Sequence, residues 1–240
     1  WPLYLQFRGG RGASSLAGLA IIVISHTQSR YAFIFIVAAM IYGIIFNEVE
    51  FEALGRKILK LASLAFPLGL LWLLKPAVLA TVGYFLATAL IFDAVRFVLP
   101  HFNLSYLKME LFAKRKERKY LSGYTLFLTG MYVVLRFFPP ETAVFVIVSF
   151  IFADLLAPIG KNIFFPIRFI KEKTFGGAII VMAMAALSGI FLKSLTGIPL
   201  SPAFIATGAL IMALLDQLSF LVDDNLLVPI GTAVILVFIF

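Results

Sequence analysis

Two adjacent carboxylates and an amide lie between two apolar segments near the end of the chain. The stretch FLVDDNLLVP at residues 220–229 contains Asp223, Asp224 and Asn225. Carboxylate and amide oxygens are hard ligands of the kind that divalent cations such as Mg²⁺ prefer. An N-cap at the start of a helix is the alternative, but one such side chain is enough for a cap. Two acids followed by Asn in apolar surroundings therefore favour a metal site.

A third acid, Asp154, lies within or at the end of an apolar run, in FADLLAPIGKN at residues 152–162. A charge at the centre of a membrane helix costs on the order of 2.5–3.5 kcal/mol. An acid there is consequently a candidate for function, and ordinary hydration near the lipid headgroups is the alternative. Gly160 and Lys161 follow it, and they would allow close backbone approach and add a positive charge.

Arg56 and Lys57 stand where a polar segment enters an apolar run, and Glu52 lies one helical turn before Arg56. The two cations could bind phosphate, with Glu52 as a supporting partner on the same helix face. The alternative is that they anchor the chain at the membrane edge.

A second candidate for phosphate binding is IKEKTFGGA at residues 170–178, where Lys173 and Thr174 precede a glycine pair ending at Gly177. Helix N-termini bind anions through free N–H groups, and glycine lets a phosphate come close. A basic loop with a flexible hinge is the alternative.

Composition indicates what must position these residues. Of 240 residues, 62% are hydrophobic, and soluble domains are nearer 45–50%. Apolar runs long enough for membrane helices follow one another along the chain, so we expect an all-α, polytopic helical bundle with about eight or nine transmembrane segments, forming a single domain over 1–240. There is no Cys and only two His, His26 and His101, which argues against thiolate metal sites and His-based catalytic triads. The expected runs are 13–25, 31–46, 58–74, 77–99, 121–138, 142–158, 177–195, 203–220 and 226–240.

The distribution of Lys and Arg among the segments between these runs predicts the orientation. Most of the 20 basic residues fall in alternate segments, and the positive-inside rule assigns those segments to the cytoplasm. They are the N-terminus and the loops at 47–57, 100–120, 159–176 and 221–225. The candidate acids and bases would then share one membrane face. The basic run at 114–119 favours contact with anionic lipid headgroups, and the net charge of +8 needs no nucleic-acid partner.

Near the end of one run, Asp93 and Arg96 are three residues apart, and we expect them to pair with each other on a helix. Asp216 has no assigned role.

Taken together, these segments resemble the CTP-dependent polyprenol kinase family, which includes dolichol kinase, phytol kinase and CTP-dependent diacylglycerol kinase. The similarity extends from about residue 50 to 230, and DDNLLVP at 223–229 is its most specific part. The other matching elements are Glu52 with Arg56 and Lys57; Glu117 with LSGYTLFLTG at 121–130; Asp154 with Ala157, Gly160 and Lys161; and Lys173 with Thr174 and Gly177.

The resemblance implies transfer of the γ-phosphate of CTP to the hydroxyl of a membrane lipid alcohol, such as a polyprenol, phytol or diacylglycerol. It implies Mg²⁺ held by Asp154, Asp223 and Asp224, with Asn225 as a further oxygen ligand or orienting group. Neutralisation of the triphosphate would fall to the four cations Arg56, Lys57, Lys161 and Lys173. The protein would be an integral membrane enzyme with its site at the cytoplasmic face, reached by the lipid from the inner leaflet.

Two positions depart from the family pattern. Lys60 stands where the family tends to have His, and Gly176 stands where it tends to have Glu. A CTP-dependent cytidylyltransferase making a CDP-lipid needs the same kinds of residue and is the nearest alternative. A membrane transporter is a more distant one, since transporters carry their sites near the midplane and often show inverted repeats.

Overall fold

The computed structural model describes residues 59–98, 120–163, 168–170, 173–219 and 222–240. Within these ranges the chain forms seven helices and one pair of short antiparallel strands. Residues 59–62 are also helical and precede the first of the seven. The elements are α1 (Ala65–Gly69), α2 (Lys75–Val98), α3 (Gly123–Phe137), α4 (Pro140–Ile163), β1 (Arg168–Ile170), β2 (Lys173–Thr174), α5 (Phe175–Thr196), α6 (Pro202–Leu218) and α7 (Asp224–Ile239).

The expectation of an all-α architecture is confirmed for this part of the chain. Each of the six apolar runs predicted from 77 onward coincides with one helix, α2 to α7, with similar boundaries. The run at 58–74 contains α1, whereas the runs at 13–25 and 31–46 lie outside the described residues.

Three of the described helices are long and apolar enough to cross a membrane, namely α2, α5 and the stretch Pro140–Pro158 of α4. The other apolar helices are shorter: α3 has 15 residues, α6 has 17 and α7 has 16. A straight span of a bilayer needs about 20 residues, so the lengths give three candidate spans among the described residues, and the count of eight or nine stays a prediction.

Hydroxyl side chains mark where three helices begin. Ser122, Thr174 and Ser201 each accept a hydrogen bond from the backbone N–H three residues later, which satisfies an amide that has no partner within the helix. At the opposite end of α5, Gly197 has φ 69°, a left-handed conformation that glycine adopts without steric cost. Sequence-encoded caps thus fix the limits of the helices.

Helix α4 lies at the centre of the bundle, with 78% of its spanning stretch buried. The ring of Phe145 on α4 packs where α5 and α6 present Gly189 and Gly208. A Cβ at Gly208 would lie 2.5 Å from Phe145 Cε1, and one at Gly189 would lie 2.8 Å from Phe145 Cε2. The two glycines therefore let α5 and α6 approach α4 closely.

A buried polar cluster joins the end of α2 to the start of α3. Asp93 and Arg96 form the expected ion pair, with Oδ1 and Nη2 3.0 Å apart, and both side chains are buried. Asp93 Oδ2 also accepts hydrogen bonds from the backbone N–H of Ser122 and the hydroxyl of Thr125, and Arg96 donates to the carbonyl of Tyr120. The predicted pairing of Asp93 with Arg96 is confirmed, and the pair also fixes the neighbouring helix.

Candidate functional site

One end of the bundle collects polar side chains from segments that are separated in sequence. Ion pairs and hydrogen bonds of Lys60 and of Lys173, which lies in β2 just before α5, connect the C-terminal parts of α4 and α6 with the start of α7. The loops expected to share one side, at 159–176 and 221–225, are the connections at this end. Side chains of the three matching segments that contain Asp154, Lys173 and DDNLLVP thus meet in space.

Lys60 connects α4 to α7. Its Nζ donates to Asp154 Oδ2 at 2.6 Å and to Asn225 Oδ1 at 2.6 Å. The ammonium also lies over the rings of Phe127 and Phe150, 5.5 and 5.6 Å from their centroids, within the range of cation–π attraction. With a side chain only 13% exposed, Lys60 is held from several directions and links two residues predicted for the site.

Lys173 makes the matching connection between α6 and α7. Its Nζ lies 2.7 Å from Asp216 Oδ1 and 3.0 Å from Asp224 Oδ2. Burial alone would lower the pKa of this lysine, but the adjacent charges of Asp224 and Asp216 outweigh burial and raise its pKa above the ordinary value. The side chain consequently stays an ammonium ion at neutral pH and can face a further anion.

Asp223 caps α7. Its Oδ1 accepts hydrogen bonds from the backbone N–H and the side-chain amide of Asn225, at 3.0 and 2.8 Å. Partial shielding of the carboxylate from water raises the pKa of Asp223, and the hydrogen bonds from Asn225 oppose that shift. The N-cap alternative for this motif is therefore realised by Asp223, while Asp224 pairs with Lys173.

A cavity of about 250 Å³ opens between these side chains. Charged and polar groups meet apolar side chains in its wall, a mixture typical of small-molecule binding sites. The lining residues are Phe150, Ala153, Asp154, Ala157, Pro158, Lys173, Thr174, Gly177, Val181, Met212, Asp216, Gln217, Asp224 and Val228.

The oxygen donors of the site match the ligand chemistry of Mg²⁺. In the observed arrangement, however, lysine ammonium groups hold the positions between them, Lys60 between Asp154 and Asn225 and Lys173 between Asp216 and Asp224. No group of three His, Cys, Asp or Glu converges as metal ligands within the described ranges. The residue types are therefore suited to Mg²⁺. The ion could bind between these oxygens only if Lys60 or Lys173 moved away from them.

The structure places five of the predicted site residues in the wall of one cavity. For two others it describes the backbone alone. Gly160 and Lys161 belong to the last turns of α4, of which the backbone is described. Four predicted residues lie outside the described ranges, as does the basic run at 114–119. Those brought together are Asp154, Lys173, Thr174, Gly177 and Asp224, with Asn225 and Asp223 beside them; those outside are Glu52, Arg56, Lys57 and Glu117.

Sequence reasoning missed three members of the cluster: Lys60, Asp216 and Gln217. Asp216 lies in an apolar helix, so the argument that selected Asp154 would have selected it as well. Lys60 was considered only as a departure from the family pattern, although it lies just four residues after Arg56 in the sequence. Gly176 is buried in the first turn of α5, and Asp216 provides a carboxylate beside the neighbouring Lys173.

Comparison of the chain with protein-family models, with curated proteins and with solved structures gave no match.

Proposed function

We propose that the protein transfers the γ-phosphoryl group of CTP to the hydroxyl of a membrane lipid alcohol, at the cytoplasmic face of the membrane. The observation that carries the proposal is the convergence of Asp154, Lys173 and Asp224 on one cavity. These residues come from three separate segments of the resemblance to the polyprenol kinases, so their meeting is not a consequence of proximity in sequence.

Phosphoryl transfer depends mainly on positioning and on neutralising negative charge. Lys173 is the cation of the cavity wall suited to a phosphate oxygen, because its pKa is raised and it keeps its proton. The start of α5, with Thr174 and Gly177 in the wall, adds backbone N–H groups at a helix N-terminus, which favour anions.

In the proposed reaction the hydroxyl oxygen of the lipid forms a bond to the γ-phosphorus, the bond from that phosphorus to the bridging oxygen breaks, and CDP leaves. A carboxylate of the cavity wall accepts the hydroxyl proton. The residues that would hold Mg²⁺ are Asp154, Asp223, Asp224 and Asn225, and a bound ion would supply further neutralisation of the transferring phosphoryl group. Apolar wall residues, among them Phe150, Met212 and Val228, would contact the beginning of the lipid chain.

The test follows the labelled phosphorus. Purified protein with Mg²⁺ receives a panel of lipid alcohols and lipid phosphates, and CTP carries the label at either the α or the γ position. We expect label from the γ position in the product of a lipid alcohol. Label from the α position in the product of a lipid phosphate would identify a cytidylyltransferase instead, and label from neither would contradict both and favour transport.

Asp224→Asn and Lys173→Met should each reduce γ transfer about 100-fold, the typical effect of removing one group that stabilises transition-state charge. Glu141→Gln is the matched control, because Glu141 is exposed in the first turn of α4, about 20 Å from Asp154 by helical rise. A similar loss in Glu141→Gln would show that charge in general, rather than the cavity, is responsible.

The orientation has its own test, since the chain contains no native Cys. Val222 is exposed beside the site, and Ser201 is exposed at the connection of α5 to α6. Single cysteines at these two positions should react with impermeant reagents from opposite sides, position 222 from the cytoplasm. Reaction of position 222 from the outside only would refute the cytoplasmic site.

A further inference from the structure

The ammonium group of Lys60 is enclosed by groups that attract a cation. Its two hydrogen-bond acceptors are Asp154 Oδ2 on α4 and Asn225 Oδ1 on α7, each at 2.6 Å. The rings of Phe127 and Phe150 stack on each other with centroids 6.1 Å apart, and the same ammonium lies over both. The faces of aromatic rings are electronegative, so every contact described for Nζ stabilises a positive charge at this position.

The two oxygen atoms that Lys60 contacts are also atoms that a divalent cation would use. Asp154 and Asn225 both belong to the set proposed to hold Mg²⁺, which binds to oxygen ligands of this type. Asp154 lines the cavity and its side chain is 29% exposed, so an ion that enters the cavity can reach the carboxylate. Asp224 lines the same cavity and is 32% exposed. The acids are therefore open to the cavity, although one oxygen of Asp154 is already bound to an ammonium group.

An ammonium group and a divalent ion cannot both keep these oxygens. The ammonium group has three donors and no acceptor, so it cannot become a ligand of the ion. Two positive charges that contact the same carboxylate oxygen also repel each other strongly where water is largely excluded, and the side chain of Lys60 is only 13% exposed. An ion bound through Asp154 Oδ2 or Asn225 Oδ1 therefore has to displace Lys60.

Lys60 and Lys173 differ in how an ion would affect them. Lys173 pairs with two carboxylates, Asp216 and Asp224, so it keeps Asp216 when an ion takes Asp224. Among the described residues, Asp154 is the one carboxylate that pairs with Lys60. Lys60 therefore loses its carboxylate partner when an ion takes Asp154, whereas Lys173 keeps one of its own.

We propose that Lys60 is an internal counter-ion that occupies the cation position at Asp154 and Asn225 and is displaced when a divalent ion binds there. This inference rests on the proposed function for the identity of the ion. It assigns to Lys60 a role in regulating metal binding. The free protein holds Asp154 neutralised, and its affinity for the free ion is lowered as a result.

The experiment measures binding of Mn²⁺ alone, without CTP, from the electron paramagnetic resonance signal of the free ion. The protein is kept in a neutral detergent, so that no anionic headgroup binds the ion. Lys60→Met should bind Mn²⁺ at least about tenfold more tightly than wild type, because the competing charge is gone. Lys60→Gln keeps a hydrogen-bond donor without the charge and should show the same gain, whereas Lys60→Arg keeps the charge and should stay close to wild type. A gain in Lys60→Arg equal to that in Lys60→Met would show an effect of shape rather than of charge, and it would overturn the proposal.

Two controls separate this effect from a change in total charge. Lys193→Met also removes one ammonium group, but Lys193 is exposed on α5, about 29 Å from Thr174 by helical rise, and this variant should bind Mn²⁺ as wild type does. Lys60→Met combined with Asp154→Asn should lose the gain, because the freed carboxylate is then absent. An equal gain in Lys193→Met, or a gain that survives Asp154→Asn, would overturn the proposal.

Wild type alone provides a second test, which covers the case in which the Lys60 variants fail to fold. Amine-specific labelling followed by mass spectrometry should show that Lys60 reacts faster once Mn²⁺ saturates the protein, while the reactivity of Lys193 stays constant. Unchanged reactivity of Lys60 at saturating Mn²⁺ would overturn the proposal, as would the absence of Mn²⁺ binding by wild type and by every variant.

The outcomes also separate this inference from the proposed function. Equal Mn²⁺ affinity of wild type and Lys60→Met, with normal γ transfer by wild type, refutes only the inference. Tighter Mn²⁺ binding by Lys60→Met, with no transfer by wild type, refutes only the kinase.

Discussion

Replacing Lys60 tests whether the polar cluster holds the bundle together. Lys60→Met removes the ammonium and keeps a long apolar side chain against Phe127 and Phe150, so the change is mainly one of charge and hydrogen bonding. It leaves the carboxylate of Asp154, which is 29% exposed, without its cation and the side-chain carbonyl of Asn225 without its donor.

The expected loss follows from the burial of the partners. Exposed ion pairs contribute about 0–1 kcal/mol, whereas breaking a buried pair costs about 3–5 kcal/mol. With exposures of 13% and 29%, the Lys60–Asp154 pair lies between these limits, at about 2 kcal/mol. The hydrogen bond to Asn225 adds about 1 kcal/mol, so Lys60→Met should lower the free energy of unfolding by about 3 kcal/mol.

Equilibrium unfolding in mixed micelles would measure this loss. A double-mutant cycle with Asp154→Asn isolates the pair, and we expect a coupling energy of about 2 kcal/mol between the two positions. Lys193→Met serves as the control, because Lys193 is exposed on α5, and it should change stability by less than about 0.5 kcal/mol. A coupling energy below about 0.5 kcal/mol would refute the reasoning, since the observed contact would then contribute nothing to the fold.

Three further substitutions test other contacts at the end of the bundle that carries the candidate site. Gly130→Ala should destabilise the protein by about 1–3 kcal/mol, because the added Cβ would lie 2.7 Å from the carbonyl oxygen of Asn225; an unchanged melting temperature would contradict this close approach of α3 to α7. Thr174→Ala should cost about 1 kcal/mol through loss of the N-cap of α5, and Thr174→Ser should restore it in the same unfolding assay. Asp223→Asn should be more stable than wild type at neutral pH in the presence of a chelator. The pKa of Asp223 is raised in the folded state, so its contribution to stability is full below its unfolded pKa of about 3.9 and is lost as the pH rises through the folded value. The advantage of the variant should therefore disappear at acidic pH, and an advantage that persists there would show another cause.

The helices could be predicted from the sequence because hydropathy and caps are local properties. Apolar runs located α2 to α7, and the structure shows that the Ser or Thr immediately before α3, α5 and α6 caps each of those helices. The residue types of the site could also be predicted, since Asp154 and Asp224 are acids in apolar surroundings. The proximity of the segments that contain Asp154 and Asp224 could be predicted as well. Successive loops alternate between the two sides of the membrane, and this alternation assigned both acids to the same side.

The pairings within the site were not predictable in this way. Which cation faces Asp154 depends on how α4 and α7 are rotated about their axes, and no local pattern encodes that rotation. The sequence offered several basic residues for the role, and Lys60 fills it because its Nζ reaches both helices. Gln217 was overlooked for a different reason. A neutral amide in an apolar helix becomes informative only when its partners are known.

The ion pair between Asp93 and Arg96 also bears on how the protein is assembled in the membrane. Both charges belong to α2 and are one helical turn apart, so they can neutralise each other before any other helix is present. Two separate charges would each oppose partitioning of α2 from the translocon into lipid, whereas an internally neutralised pair near the end of the helix lowers that barrier. Docking of α3 then supplies Ser122 and Thr125 to the same carboxylate. Biogenesis can therefore proceed in two stages. Helix α2 enters the membrane with its ion pair already formed, and the carboxylate of Asp93 then binds α3 when that helix arrives.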